Sequence, residues 1–162
     1  MTQDSHDDLI YDWNDDAALA NRRAVTFDDE TLRDGLQNPS VRTPSLDEKR
    51  ELVRLMDRIG IHTVNVGLPG AGDRHYTDCL ELVRMIGEEG LSITPNVASR
   101  TLVSDVEPVR RIMDETGVPV LANCFIGSSP IRQYTENWTL DTILGHIDAS
   151  CGWARDHDVP FA

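Results

Sequence analysis

The sequence predicts an α/β fold built on a parallel sheet, and three observations lead there. Short apolar runs alternate with longer amphipathic segments from Ala24 onward. The runs are partly β-branched and lack clean two-residue alternation, as expected of strands buried on both faces. Strict alternation of strand and helix then implies right-handed βαβ units. An open doubly wound sheet and a (β/α)8 barrel both satisfy this pattern. In either, binding groups collect where strands end and helices begin.

Each element has its own signal. The strand candidates are residues 24–27 (AVTF), 62–67 (HTVNVG), 92–98 (SITPNVA), 119–127 (PVLANCFIG) and 159–161 (VPF). Ser45-Leu46-Asp47-Glu48 is a capping box that opens a helix with Leu52, Val53, Met56 and Ile59 on one face, stopped by Gly60. A second helix carries Tyr76, Leu80, Val83 and Ile86 and ends near Gly90. Ser104-Asp105-Val106-Glu107 reads as another capping box, followed by Val109, Ile112 and Met113 and stopped by Gly117. Thr139 starts a fourth helix whose stripe is Leu140, Ile143, Leu144, Ile147 and Cys151. These stripes read as core-facing surfaces. Residues 1–23 depart from the pattern. They form an acidic extension, expected to be partly disordered, in which Leu9, Ile10, Trp13, Ala17 and Ala20 share one face of a short amphipathic helix.

Composition narrows the functional classes. A chain of 162 residues suffices for one domain with a core. A net charge of −13 argues against nucleic acid and against an anionic membrane surface. No apolar run reaches the ~18 residues of a membrane span. The acidic start MTQDSHDDL lacks the features of a secretory signal, so a cytoplasmic protein is expected. Cys79, Cys124 and Cys151 are widely spaced and read as reduced thiols.

The stretch FDDETLRDGLQNPSV, residues 27–41, concentrates charge at the exit of the first strand. A carboxylate such as Asp34 at the mouth of a parallel sheet is a hard ligand suited to magnesium or manganese. Arg33 beside it offers a fixed fork of donors to a ketone or carboxylate oxygen. The competing reading is an Arg–Asp pair that closes the turn.

The string Asp29-Glu30-Thr31-Leu32-Arg33-Asp34-Gly35-Leu36-Gln37 resembles the first-strand motif of the metal-dependent Claisen-condensing TIM-barrel family, which includes the isopropylmalate, homocitrate and citramalate synthases and hydroxymethylglutaryl-CoA lyase. Residues 43–49, 59–69 and 125–130 are similar to later segments of that family, with Asn65 standing where many members carry Glu. The resemblance implies a partial (β/α)8 TIM barrel, its first four βα units plus the start of the fifth strand. Residues 24–162 are then the amino-terminal part of a pyruvate carboxyltransferase-type (HMGL-like) domain. It further implies that Asp34 is a metal ligand, that Arg33 is catalytic and substrate-binding, and that Gln37 shapes the same pocket. The implied cofactor is Mg2+ or Mn2+, with Zn2+ as the alternative. The implied reaction is an acyltransfer condensing acetyl-CoA with a 2-oxo acid, as in leucine biosynthesis, by a homo-oligomer. A carbon–carbon lyase of the hydroxymethylglutaryl-CoA type and a catalytically silent fragment are the alternatives.

Strand starts near 24, 62, 92, 119 and 159 agree with this picture. Eight units at such spacing need roughly 270 residues, close to the ~250 of a complete barrel. The family's metal site is completed by an H-x-H pair on the seventh strand, and this sequence contains no H-x-H. The chain alone is therefore expected to be inactive. The inward faces of Val64, Val66, Val97 and of Leu121 or Cys124 are expected to lie uncovered, and the residues from Val159 onward to be frayed.

Overall fold

A computed structural model describes residues 24–162. The extension 1–23 and its amphipathic helix lie outside the described residues. Four strands, β1 (Asp28–Asp29), β2 (Thr63–Asn65), β3 (Thr94–Arg100) and β4 (Leu121–Phe125), form one sheet in the order β1-β2-β3-β4. All pairings are parallel, with Asp28 opposite Thr63, Thr63 opposite Thr94, and Val97 opposite Ala122. A doubly wound sheet reverses its strand order at a switch point. This sheet does not reverse, and its helices pack in sequence against their neighbours, as in the wall of a (β/α)8 barrel.

The helices are α1 (Leu46–Arg58), α2 (Asp73–Glu89), α3 (Val103–Thr116), α4 (Pro130–Glu136) and α5 (Leu140–Asp156). α1 begins at the expected capping box: Ser45 Oγ accepts the Glu48 N–H, and the Glu48 carboxylate accepts the Ser45 N–H. α5 uses Thr139 and Thr142 in the same way. α2 and α3 end at Gly90 and Gly117 in the left-handed conformation, as the stop signals predict. Val64, Val66, Val97 and Ala122 interlock with Val53, Leu82, Val83, Val106, Val109 and Ile112. Most of these are fully buried. Each valine, leucine and isoleucine among them is worth about 1.5–3 kcal/mol of transfer free energy relative to exposure.

Several expectations change. The first strand is Asp28–Asp29 rather than residues 24–27, because the Phe27 carbonyl takes the His62 and Thr63 N–H groups and the ladder begins one residue later. Asp28 and Asp29 are therefore in the strand, while Glu30 and Asp34 follow it. Ser104 caps nothing: α3 starts at Val103 without a side-chain cap, and Asp105 turns inward to Arg100. Residues 130–136 form a short additional helix, α4, with Ser129 as its cap. Leu140 and Leu144 on α5 and Ile59 after α1 are exposed, and the buried face of α5 runs through Ile143, Ser150 and Ala154.

Two further corrections concern the open side of the sheet. Val64, Val66 and Val97 face the helices and are buried. The opposite face is polar, a ladder in which Asp28 accepts from Thr63 Oγ1 (2.6 Å) and Asn96 Nδ2 (2.7 Å), and Asn96 Oδ1 accepts from Asn123 Nδ2 (2.9 Å). The residues after Val159 are not frayed. Val159 is buried, and Pro160 and Ala162 exchange hydrogen bonds with Ala122 and Cys124 to extend the sheet past β4.

Candidate active site

The backbone builds the site before the side chains do. After β1 the chain wraps around the Glu30 carbonyl, which accepts the N–H groups of Arg33 (3.2 Å), Asp34 (2.9 Å) and Gly35 (3.1 Å). Asp29 Oδ1 takes the Thr31 N–H at 2.8 Å, an Asx turn that starts the wrap. Leu32, only 4% exposed, anchors the turn in the core. This winding puts residues three apart on one side, so Arg33 meets Glu30. Arg33 Nε and Nη2 reach Glu30 Oε2 at 2.7 and 2.5 Å, and Nη1 reaches Asp34 Oδ1 at 3.2 Å.

Glu30 is itself held from below. Asn65, fully buried at the end of β2, donates Nδ2 to Glu30 Oε1 at 2.9 Å while its Oδ1 accepts the Gly67 N–H at 3.2 Å. Gly67 has φ 145°, and a Cβ there would lie 2.8 Å from Cys79 Sγ, so this brace needs glycine.

Arg33 and Gln37 line one cavity of about 350 Å³, together with Leu36, Lys49, Arg74 and His75. Asp34 is not in that lining; its side chain is 65% exposed. Arg33 thus shares a cavity with Gln37 and contacts Asp34, which lies outside that lining. Lys49, nine-tenths buried, is neutralised by Asp78 at 2.7 Å. Cys79, also in the lining, has its thiol pushed up to about 12, chiefly by burial, and is no nucleophile at neutral pH.

A second arginine stands at another strand exit, Ser99-Arg100, of the kind where binding groups are expected to collect. At the exit of β3, Arg100 is gripped by Asp105 through Nε (2.6 Å), Nη2 (2.8 Å) and its backbone N–H (3.2 Å). These hydrogen bonds raise the guanidinium further above its ordinary value. A Cβ on Gly70 would come within 2.7 Å of Asp105 Cγ, so the loop after β2 closes directly over this pair. The five-residue step from a strand exit into a helix was the available signal, masked by the capping-box pattern at Ser104.

A metal was the implied cofactor. Asp34 offers one hard carboxylate, and among the described residues no group of three or more His, Cys, Asp or Glu side chains is placed to hold an ion. Magnesium and manganese want about six oxygen ligands. The described residues alone do not build that centre, and no step is derived through one.

A parallel barrel wall with an arginine–carboxylate pair at the first strand exit defines a class, and comparison with known proteins gives its family. The HMGL-like family model matches residues 24–158, and the chain belongs to that family. Its relatives include a 2-isopropylmalate synthase of Streptococcus gallolyticus (strain UCN34), 31% identical over 82% of this chain and 25% of the relative. A homocitrate synthase of Pyrococcus abyssi is 29% identical over 80% of this chain and 33% of its own length. A 2-isopropylmalate synthase of Sulfolobus acidocaldarius is 27% identical over 85% and 33%. The chain therefore spans about a quarter to a third of the length of these relatives. Among the described residues, no helix is long and apolar enough to cross a membrane.

Proposed function

We propose that the chain supplies the first-strand part of the active site of an acyl-transferring synthase, one that joins acetyl-CoA to a 2-oxo acid in the manner of 2-isopropylmalate synthase. The observation that carries this reading is the state of Arg33. Its guanidinium is immobilised at a strand exit by Glu30, beside an exposed carboxylate and at the rim of a cavity. Its Nε edge is occupied by Glu30 and its Nη1 also reaches Asp34, so a substrate oxygen at the outer edge would lie beside the Asp34 carboxylate. A planar fork fixed in advance is suited to the keto oxygen of a 2-oxo acid and to the alkoxide that develops there as the acetyl carbon adds. Gln37, on the cavity side, adds a neutral donor and acceptor for the same substrate. Asp34 is the one carboxylate that this part of the chain offers a divalent cation, whose chemistry would be that of a Lewis acid and template. The names of the synthase relatives support the reaction class, and the location expected for such an enzyme is cytoplasmic.

The test is release of CoA from acetyl-CoA by the whole protein, run against a panel of branched and dicarboxylic 2-oxo acids. Release with one of them supports the reading. No release with any, together with cleavage of hydroxymethylglutaryl-CoA, replaces it with the lyase. Leu36-Gln37-Asn38 does not exclude that second reading, since this part of the string also resembles the lyases, while Asp29, Thr31 and Leu32 favour the synthases.

A further inference from the structure

We infer that Glu30 is a positioning residue for Arg33, and that Asn65 is the buried brace that sets Glu30. This rests on the proposed role of Arg33 and extends it to two residues assigned no role so far. The chain of contacts is continuous: Gly67 N–H to Asn65 Oδ1 (3.2 Å), Asn65 Nδ2 to Glu30 Oε1 (2.9 Å), and Glu30 Oε2 to Arg33 Nε (2.7 Å) and Nη2 (2.5 Å).

Each link fixes the next. The Gly67 N–H is a donor only, so the Asn65 carbonyl oxygen must face it and the Asn65 amide must face Glu30. Asn65 is 1% exposed, so its amide is shielded from solvent. Glu30 therefore meets donors on both oxygens, Asn65 on one and Arg33 on the other. Only a carboxylate can accept on both sides. A glutamine would turn its amide N–H groups toward Asn65 or toward Arg33, and one contact would be lost. A glutamate at position 65 would face Glu30 with a like charge, so the Glu30–Asn65 pair works as a matched set.

The consequence is orientation. With its Nε edge held, Arg33 cannot rotate fully onto Asp34, its other acidic neighbour, which it contacts only at 3.2 Å. Without Glu30, the guanidinium is free to fold over Asp34, covering the carboxylate and withdrawing its outer edge from the cavity rim. Precise placement of an electrostatic group is worth far more than its mere presence.

Two measurements test this. The first does not depend on activity: the Arg33 side-chain Nε–H resonance in 15N-labelled chain. A protected, well-dispersed Arg33 Nε–H in the wild type that becomes fast-exchanging in Glu30→Gln supports the brace. An Nε–H already fast-exchanging in the wild type, or unchanged by Glu30→Gln, overturns it. The second is a double-mutant cycle in the whole protein, with Glu30→Gln, Arg33→Lys and both together. Glu30→Gln should lower kcat on the order of 10–100-fold, the usual cost of losing a supporting contact, with KM for acetyl-CoA unchanged. It should add little once Arg33 is lysine. The same loss in both backgrounds would show that Glu30 acts independently of Arg33 and overturn the inference. If Arg33→Lys leaves activity intact, the role of Arg33 fails instead, and the resonance experiment still decides the brace.

Discussion

Asp105→Asn probes the pair that closes the third strand exit. Asp105 is 2% exposed and accepts three hydrogen bonds from Arg100, two of them from the guanidinium at 2.6 and 2.8 Å. Asparagine keeps the shape but offers one oxygen, so the two-point contact falls to one and an amide N–H faces a guanidinium donor. A hydrogen bond to a charged group is worth about 1.5–3 kcal/mol. The Arg100 side chain is half exposed and regains water, which holds the loss near the lower end, about 2 kcal/mol. At about 3 °C per kcal/mol for a domain of this size, the melting temperature should fall by about 6 °C. Arg100→Ala should cost more, about 3 kcal/mol, since it strands a buried carboxylate with only a backbone N–H. Far-UV circular dichroism melts and urea titrations of the three proteins measure both effects. An Asp105→Asn protein melting within about 1 °C of wild type, or an Arg100→Ala protein more stable than it, would refute the reasoning.

Three other outcomes are expected. Gly70→Ala should destabilise by about 1–3 kcal/mol in urea titration, because its Cβ would meet Asp105 at 2.7 Å and that carboxylate is pinned by Arg100; a neutral result would mean the loop yields freely. The Glu48 carboxyl is held down at about 2, against an ordinary 4.5, first by its hydrogen bond from Arg42 and then by Ser45. A depressed folded-state value contributes stability above the unfolded value, which is lost as pH falls from about 4.5 toward 2. The gap in urea midpoint between wild type and Glu48→Gln should therefore close over that window, and a gap that widened there would contradict the assignment. Native-state alkylation followed by mass spectrometry should label Cys79 last, since its thiol is buried and pushed up to about 12; early labelling of Cys79 would show that the α2–β2 contact opens.

Much of the wall was legible because periodicity reports burial. The faces of α2 and α3, both glycine stops and the Ser45 and Thr139 caps depend on neighbours within four residues. What was not legible depends on residues far apart in sequence. The polar ladder joins Asp28 to Asn96 across 68 positions, and the Glu30 brace joins it to Asn65 across 35. Without register, Val64 and Val97 cannot be told from Asn65 and Asn96 as the helix-facing set, and the valines were placed on the wrong face. Arg33, Asp34 and Gln37 are proposed from their string, which is local. Glu30 sat in the same string and was passed over, because its partner lies on another strand. The Ser104 pattern misled for a related reason: Asp105 gains more from a two-point contact with Arg100 than Ser104 gains from a cap.

The central claim is that Arg33 and Asp34 form a site rather than a turn-closing ion pair. The most direct measurement is the initial rate of CoA release by the whole protein in wild-type, Arg33→Lys and Asp34→Asn forms, each with a melting curve taken without metal. A lysine cannot reproduce the two-donor edge. Activity should therefore fall by on the order of 100-fold or more in Arg33→Lys with the melting temperature nearly unchanged, the scale expected when a stabiliser of developing charge is lost. Asp34→Asn should weaken manganese binding in calorimetry and leave the melting temperature equally unmoved. If both substitutions instead lower the melting temperature sharply, or both leave the rate of CoA release intact, Arg33 and Asp34 hold the turn together and the chemistry lies elsewhere.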